Sequence, residues 1–359
     1  MREFLYLLAL GTLLRASGEL IDIPLWTQVP FQQANAGEPV TRNGGGVSNV
    51  HTPKLVKFED EETRKKGVYY KNNLSIVVMP GGAYSFLSTQ NEGLSVCNFL
   101  NSLGLRAYML LYRHKPYTHP IPLIDAFRAV RLVRKAGEGG AVGIMGFSAG
   151  GHLAASVLTF ASLHPTLFLN QSGAGDMGKA SGSTEWLSSE GTDNLAKLFS
   201  CRPDFTVLFY PVISMVSGLR HDKSRENIAG SAAGSPMSAL DGLMSLEKSV
   251  KLNADAGNLN GAITSPKMGP VLLIHSADDQ VVGVDNSLEF LKALLSLNTG
   301  VNRGYRSGDR TEVDAEMRIY SDGNHGYGLR RKDRVVPGWY TEGGVFREWL
   351  DRKLSFISQ

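Results

Sequence analysis

The sequence predicts an α/β protein: a mostly parallel, doubly wound sheet with helices on both faces and a cap-like insertion. Short apolar runs bounded by turn residues alternate with amphipathic segments at helical spacing along nearly the whole chain. Three of those runs end in turns carrying a serine, an acidic pair and a histidine, in that order, just beyond a strand's carboxyl end, where open α/β sheets build their sites. With 359 residues, 42% of them hydrophobic and 20% charged, the composition is ordinary for one large globular domain and does not require a second.

Residues 1–18 have the form of a secretory signal peptide. Arg2 supplies the positive start, Phe4 to Leu14 the apolar core, and Ala16-Ser17-Gly18 a small-residue cleavage site. That core is too short to span a bilayer, and no other stretch approaches about 20 apolar residues. The expectation is export, extracellular or periplasmic, of a single catalytic domain over 19–359 with no stable membrane association. From Glu19 to Gly46 the chain is rich in proline and glycine and is expected to wrap the surface irregularly. Leu55 to Phe58 and Leu74 to Met79 are the first strands, with Glu59 to Lys66 between them as a solvated turn.

A helix over Glu92 to Leu103, a strand over Arg106 to Leu111 and a helix over Pro122 to Lys135 follow, then a strand over Val142 to Met145 and a helix over Gly151 to Ala161. The Gly- and Ser-rich run 172–194 is a flexible insertion. Thr206 to Tyr210 is a buried strand. After it, 211–267 forms a cap-like insertion whose Met237, Leu240, Leu243, Met244 and Leu246 serve as its packing. Val271 to His275 and Met317 to Tyr320 are the last strands. Leu288, Leu291 and Leu295 mark a helix between them, and Phe346, Leu350 and Leu354 the final one. No repeat of 20 to 50 residues occurs.

Gly146-Phe147-Ser148-Ala149-Gly150 is a G-x-S-x-G turn between a strand and a helix, the context of a nucleophile elbow, and makes Ser148 the candidate nucleophile. A Cβ on either flanking glycine would collide with neighbouring backbone. An elbow serine needs an acid and a base later in the chain. Asp278-Asp279 and His325 supply them, and adjacent side chains leaving a strand point apart, so one aspartate of the pair faces the site. Pro80-Gly81-Gly82-Ala83-Tyr84, after an early strand, suits an oxyanion hole made of the Gly82 and Ala83 amides together with that of Ala149. Tyr84 and Phe147, beside the two turns, are candidate substrate-pocket residues.

Several function classes are disfavoured. The net charge of +3 is small and unclustered, so nucleic acid is not an expected partner. His114 and His119 lack carboxylates or thiols at ligand spacing, and His152 suits helix-start packing, so neither a metal nor an organic cofactor is expected. Cys97 and Cys201 have no metal-type spacing, and a chain of this size does not require them to pair. Asn73-Leu74-Ser75 and Asn170-Gln171-Ser172 are glycosylation sequons.

Taken together, Pro80-Gly81-Gly82-Ala83-Tyr84, Gly146 to Ala154, Arg202-Pro203-Asp204-Phe205, His275-Ser276-Ala277-Asp278-Asp279, Asn286-Ser287-Leu288 and Gly323-Asn324-His325-Gly326 resemble acetyl-xylan-esterase-like and bifunctional acetyl/feruloyl esterase-like α/β-hydrolases. The resemblance covers nearly all of the chain past the leader. It implies an α/β-hydrolase fold and a cofactor-free serine esterase that removes acyl groups, acetyl foremost, from carbohydrates such as xylan through a Ser-His-Asp triad. In the family's Asp-Asp-x-Val pattern the first aspartate takes the histidine, which implies Asp278 as the acid and leaves Asp279 to brace the loop. The chain departs from the family at Ala83, where a third glycine is usual and the amide serves if φ is negative, and at Gly283, where proline is usual. The alternative is a general carboxylesterase or a prolyl-oligopeptidase-like serine peptidase, the latter without a propeller-sized region ahead of the first strands. A non-catalytic binding protein is disfavoured because every triad residue type is retained.

Overall fold

Four strands of the main sheet are buried at every position: Ser75–Met79 (β5), Val142–Phe147 (β7), Phe205–Phe209 (β8) and Val271–Ser276 (β9). Unbroken burial is what strands covered by helices on both faces require. The computed structural model describes residues 19–33, 39–42, 45–137, 140–163, 194–216, 218–230, 239–251, 268–299, 313–329, 338–341 and 343–357. With Glu19–Pro24 (β1), Lys54–Glu59 (β4), Arg106–Leu111 (β6) and Ala315–Tyr320 (β10), these strands form one sheet in the order β1-β4-β6-β5-β7-β8-β9-β10. Pairing is parallel from β6 through β10 and antiparallel at β1–β4 and β4–β6.

The strand order reverses at β5. The chain leaves β5 for β6 on one side and returns to β7 on the other. Ligands bind at such switch points, beyond the carboxyl ends of the strands, and here the two glycine turns leave the ends of adjacent strands. The long helices after β6 and β7, Ile121–Ala136 and Ala149–Leu163, overlap the predicted spans. The second is buried along its whole length.

Three segments differ from expectation. The supposedly irregular start contains β1, which pairs with β4 from Glu19 opposite Glu59 to Pro24 opposite Lys54, and a small ribbon of Val40–Arg42 (β2) with Gly46–Ser48 (β3). Within the expected solvated turn, Glu61–Lys65 is a helix. Asp60 caps it by accepting from the Thr63 amide at 3.0 Å, acids fill its first turn and bases its last. The stretch before Ser95–Ser102 is a wide π-type turn, Gln90–Leu94, rather than regular helix.

The start of the chain is tied to the body by buried charge. Arg113 and Asp125, both fully buried, pair at 2.7 Å. Asp125 also accepts from the Trp26 indole at 3.2 Å, and Arg113 and Arg128 donate to the Pro30 and Leu25 carbonyls. Cys97 and Cys201 are both buried as free thiols. In the Asn73 sequon the side-chain amide donates to the Gly137 carbonyl at 3.2 Å.

Residues 1–18, Asn170, Met237 and all of 172–194 except Asn194 lie outside the described residues. From 211–267 the structure describes helices Asp222–Ala229 and Ala239–Met244 and the helical stretch 246–251. Met244 and Leu246 are buried there, and Arg225 pairs with Asp241 at 2.7 Å. Among the described residues, no helix is long and apolar enough to cross a membrane.

Candidate active site

At the end of β7 the chain turns so sharply that Ser148 adopts φ +52°, a conformation a non-glycine residue holds only where its surroundings enforce it. They do so here: the Ser148 amide donates to Phe209 O at 3.0 Å, and its carbonyl accepts from Val212 and His152 at 3.1 and 3.0 Å. A Cβ on Gly150 would lie 2.1 Å from the Met79 carbonyl oxygen, so only glycine lets the following helix approach β5 this closely. Ser148 Oγ stands 2.8 Å from His325 Nε2, and His325 Nδ1 stands 2.7 Å from Asp279 Oδ2. A carboxylate can only accept, so Nδ1 carries the proton and Nε2 accepts from the serine hydroxyl.

The aspartate differs from the expected one. Asp278 is half-buried and accepts the Asn324 amide at 2.7 Å, bracing the loop that carries His325. Strand alternation lost its phase because the Asp279 amide donates back to Ser276 O at 3.3 Å, a turn that begins where β9 ends. Asp279 Oδ1 accepts the Val281 and Val282 amides, both at 2.9 Å. Its other oxygen is shared between His325 and His275 Nε2, the latter at 3.2 Å. Burial opposes ionisation of Asp279, but the hydrogen bonds from His275 and His325, the His325 charge and the Val282 amide outweigh it and hold the carboxyl below the usual range. His275 is itself fixed, with Nε2 facing Val282 O at 2.9 Å and Nδ1 facing the Ser287 hydroxyl at 2.8 Å.

The turn after β5 packs directly on the elbow. A Cβ on Gly81 would fall 2.8 Å from Ser148 Cβ and 2.7 Å from Phe147 O. Gly82, Ala83 and Tyr84 have φ of +132°, +53° and +56°, so the negative φ expected at Ala83 is not found. Asn227 donates to Ala83 O at 2.8 Å and the Lys115 amide to Tyr84 O at 2.9 Å, which holds this left-handed stretch.

No family model matches the chain. It is 27% identical over 261 residues to an acetylxylan esterase of Xylanibacter ruminicola, covering 71% of this chain and 41% of that protein. Against endo-1,4-beta-xylanase B of Butyrivibrio fibrisolvens the identity is 28% over 230 residues, 61% of this chain and 29% of that protein. The chain thus spans well under half the length of these curated relatives. Among solved structures, the acetyl ester-xyloside bifunctional hydrolase of Caldicellulosiruptor lactoaceticus aligns with TM-score 0.61 and 29% identity over 92% of this chain and 96% of that one. The chain has the α/β-hydrolase fold. An esterase of Thermogutta terrifontis shares the fold with TM-score 0.53 at 18% identity, covering 89% of this chain and 94% of that one.

In this fold both expected pocket residues are buried. Phe147 is fully buried in β7 and stacks on Phe209, with ring centroids 4.6 Å apart and planes 10° from parallel. Tyr84 is buried with its hydroxyl 2.8 Å from His152 Nδ1, while His152 Nε2 donates to Met244 O at 2.9 Å. Burial pushes the His152 pKa down to about 4, so its ring is a neutral bridge between the elbow helix and the segment around Met244.

Three residues at the site went unmarked by the sequence. They are His275, Glu92 and Tyr210, whose ring packs edgewise on His325 with centroids 4.8 Å apart. All are buried polar groups identified by what they touch. The one available signal was the Tyr-Pro pair Tyr210-Pro211 immediately after a strand end, the position Ser148 takes after its own strand.

Proposed function

We propose that this chain is a carboxylic ester hydrolase that removes acetyl or related acyl groups from xylan-type carbohydrates. The observation that carries the reading is the unbroken line from Ser148 Oγ through His325 to Asp279, with links of 2.8 and 2.7 Å. Serine is a poor nucleophile until a base takes its proton. His325 takes it as Oγ attacks the ester carbonyl, and Asp279 keeps the imidazole in the required tautomer. The Gly82 and Ala149 amides stabilise the oxyanion; among the described residues the Gly82 amide donates to no backbone acceptor. His325 then protonates the departing sugar oxygen, and water enters by the same steps to free the acid. An acylated saccharide as substrate is supported by the activities of two similar proteins, an acetylxylan esterase and an acetyl ester-xyloside bifunctional hydrolase.

The test is acid release from acetylated xylan, a feruloylated oligosaccharide and a peptide amide, by wild type and Ser148→Ala. Acetate release that falls by about 10³-fold or more in a folded Ser148→Ala protein is expected. Faster cleavage of the peptide, or activity in Ser148→Ala within about tenfold of wild type, would overturn the reading.

A further inference from the structure

Behind the reacting groups lies a carboxylate that the proposed reaction leaves unassigned. Glu92, 4% exposed, sits in the wide turn Gln90–Leu94. One of its oxygens accepts the Gly81 amide at 2.9 Å and the other the Tyr210 hydroxyl at 2.8 Å. These partners belong to opposite halves of the site. Gly81 opens the turn that carries the Gly82 and Ala83 amides. Tyr210 follows β8, lays its ring on His325 and, through its oxygen, accepts the Gly328 amide at 3.0 Å from the loop beyond His325. Burial and the nearby carboxylate both raise the Tyr210 pKa far above its ordinary value, so the phenol stays protonated and donates to Glu92.

The neighbouring residue acts on the same loop. Asn91 Nδ2 donates to Gly326 O at 3.1 Å and Tyr327 O at 3.3 Å. Wide turns of this kind are rare and occur frequently at functional sites. Here the turn reaches the loop around His325 through two consecutive side chains, Asn91 directly and Glu92 by way of Tyr210. A buried carboxylate costs free energy unless donors surround it, and a packing role alone would be met by an apolar residue.

We propose that Glu92 is a positioning residue. Through Gly81 it fixes the oxyanion turn and through Tyr210 the His325 loop, so the two halves keep one geometry while its charge favours the imidazolium formed when Ser148 loses its proton. The proposal rests on the reading of Ser148 and His325 as nucleophile and base. Other groups facing His325 among the described residues include Asp279 at Nδ1, Ser148 at Nε2, Tyr210 against the ring, and His221 at longer range. Glu92→Gln leaves all of them in place.

Glu92→Gln, Tyr210→Phe and the double variant are to be assayed with p-nitrophenyl acetate for kcat, KM and the pH profile of kcat/KM. Glu92→Gln is expected to lower kcat about tenfold or more with KM within about twofold, and to move the acid limb to lower pH by about half a unit or more, because a nearby negative charge is gone. Tyr210→Phe keeps the ring and breaks the link, so it is expected to lower kcat by a similar factor. The double variant is expected to be about as slow as the slower single, since both cut one connection. Wild-type kcat and an unmoved limb in Glu92→Gln, or losses that multiply in the double variant, would overturn the proposal. If Glu92→Gln does not fold, Tyr210→Phe decides, and wild-type kcat there overturns it. Ser148→Ala run beside them separates the two readings: activity surviving in it brings down both, whereas an inert Ser148→Ala beside a wild-type-like Glu92→Gln brings down only this one.

Discussion

Asp278 and Asp279 differ by one position and by everything that surrounds them. Asp279 accepts both histidines and two loop amides, while Asp278 holds the Asn324 amide. Asp279→Asn is therefore expected to lower kcat by about 10⁴-fold, the cost of losing a triad acid, and Asp278→Asn by less than about tenfold. Steady-state rates of both variants on p-nitrophenyl acetate check this, and the opposite order would return the role to Asp278. Ser148 and His325 were legible because turn chemistry announces them: an elbow admits little besides glycine around its serine, and the histidine follows a strand. The acid was not legible, because the Ser276 to Asp279 turn cancels the alternation that would have chosen between two identical side chains. Tyr84 and Phe147 misled because closeness to the site in sequence says nothing about which way a ring is buried.

At the scale of elements, the helix Ala149–Leu163 carries a titration built into its packing. His152, 3% exposed, sits between the Tyr84 hydroxyl and Met244 O. Burial lowers its pKa from 6.5 to about 4, and the Met244 carbonyl offsets part of that shift. Between those values the unfolded chain binds the proton and the folded one does not, so stability is fully present above pH 6.5 and declines as pH falls toward 4, by up to about 3 kcal/mol. His152→Gln, which keeps a donor and an acceptor, should remove that share of the slope in urea unfolding between pH 7.5 and 4.5; a slope equal to wild type would exclude His152 as its source. The central strands were legible as unbroken apolar runs. β1 was not, because the antiparallel edge strand buries none of its residues fully, breaks alternation at Leu20-Ile21 and ends at Pro24. Helix Glu61–Lys65 was also missed: its signal is the Asp60 cap and charge order, and a short charged stretch looks the same as a turn.

For the whole molecule, the Arg113–Asp125 pair fastens the chain before β2 to the middle of the fold, joining Trp26 and Pro30 to β6 and the helix Ile121–Ala136. Asp125→Ala would strand a buried guanidinium, and is expected to lower the unfolding free energy by about 3–5 kcal/mol. Urea midpoints measure it, and a loss below about 1 kcal/mol would remove the pair from the account of stability. The fold class was legible at this scale from the alternation of elements, whereas the strap was not, since nothing in a sequence says which arginine and aspartate will meet inside. Ser148 and His325 stand 177 residues apart and meet only when β7, β8, β9 and β10 lie side by side. Closing so long a loop costs only slightly more entropy than closing a short one, but no earlier fragment of the sheet can bring the pair together. Catalysis is consequently a clock for assembly: in a refolding protein, returning turnover dates the arrival of the last strand, long after the first helices have formed.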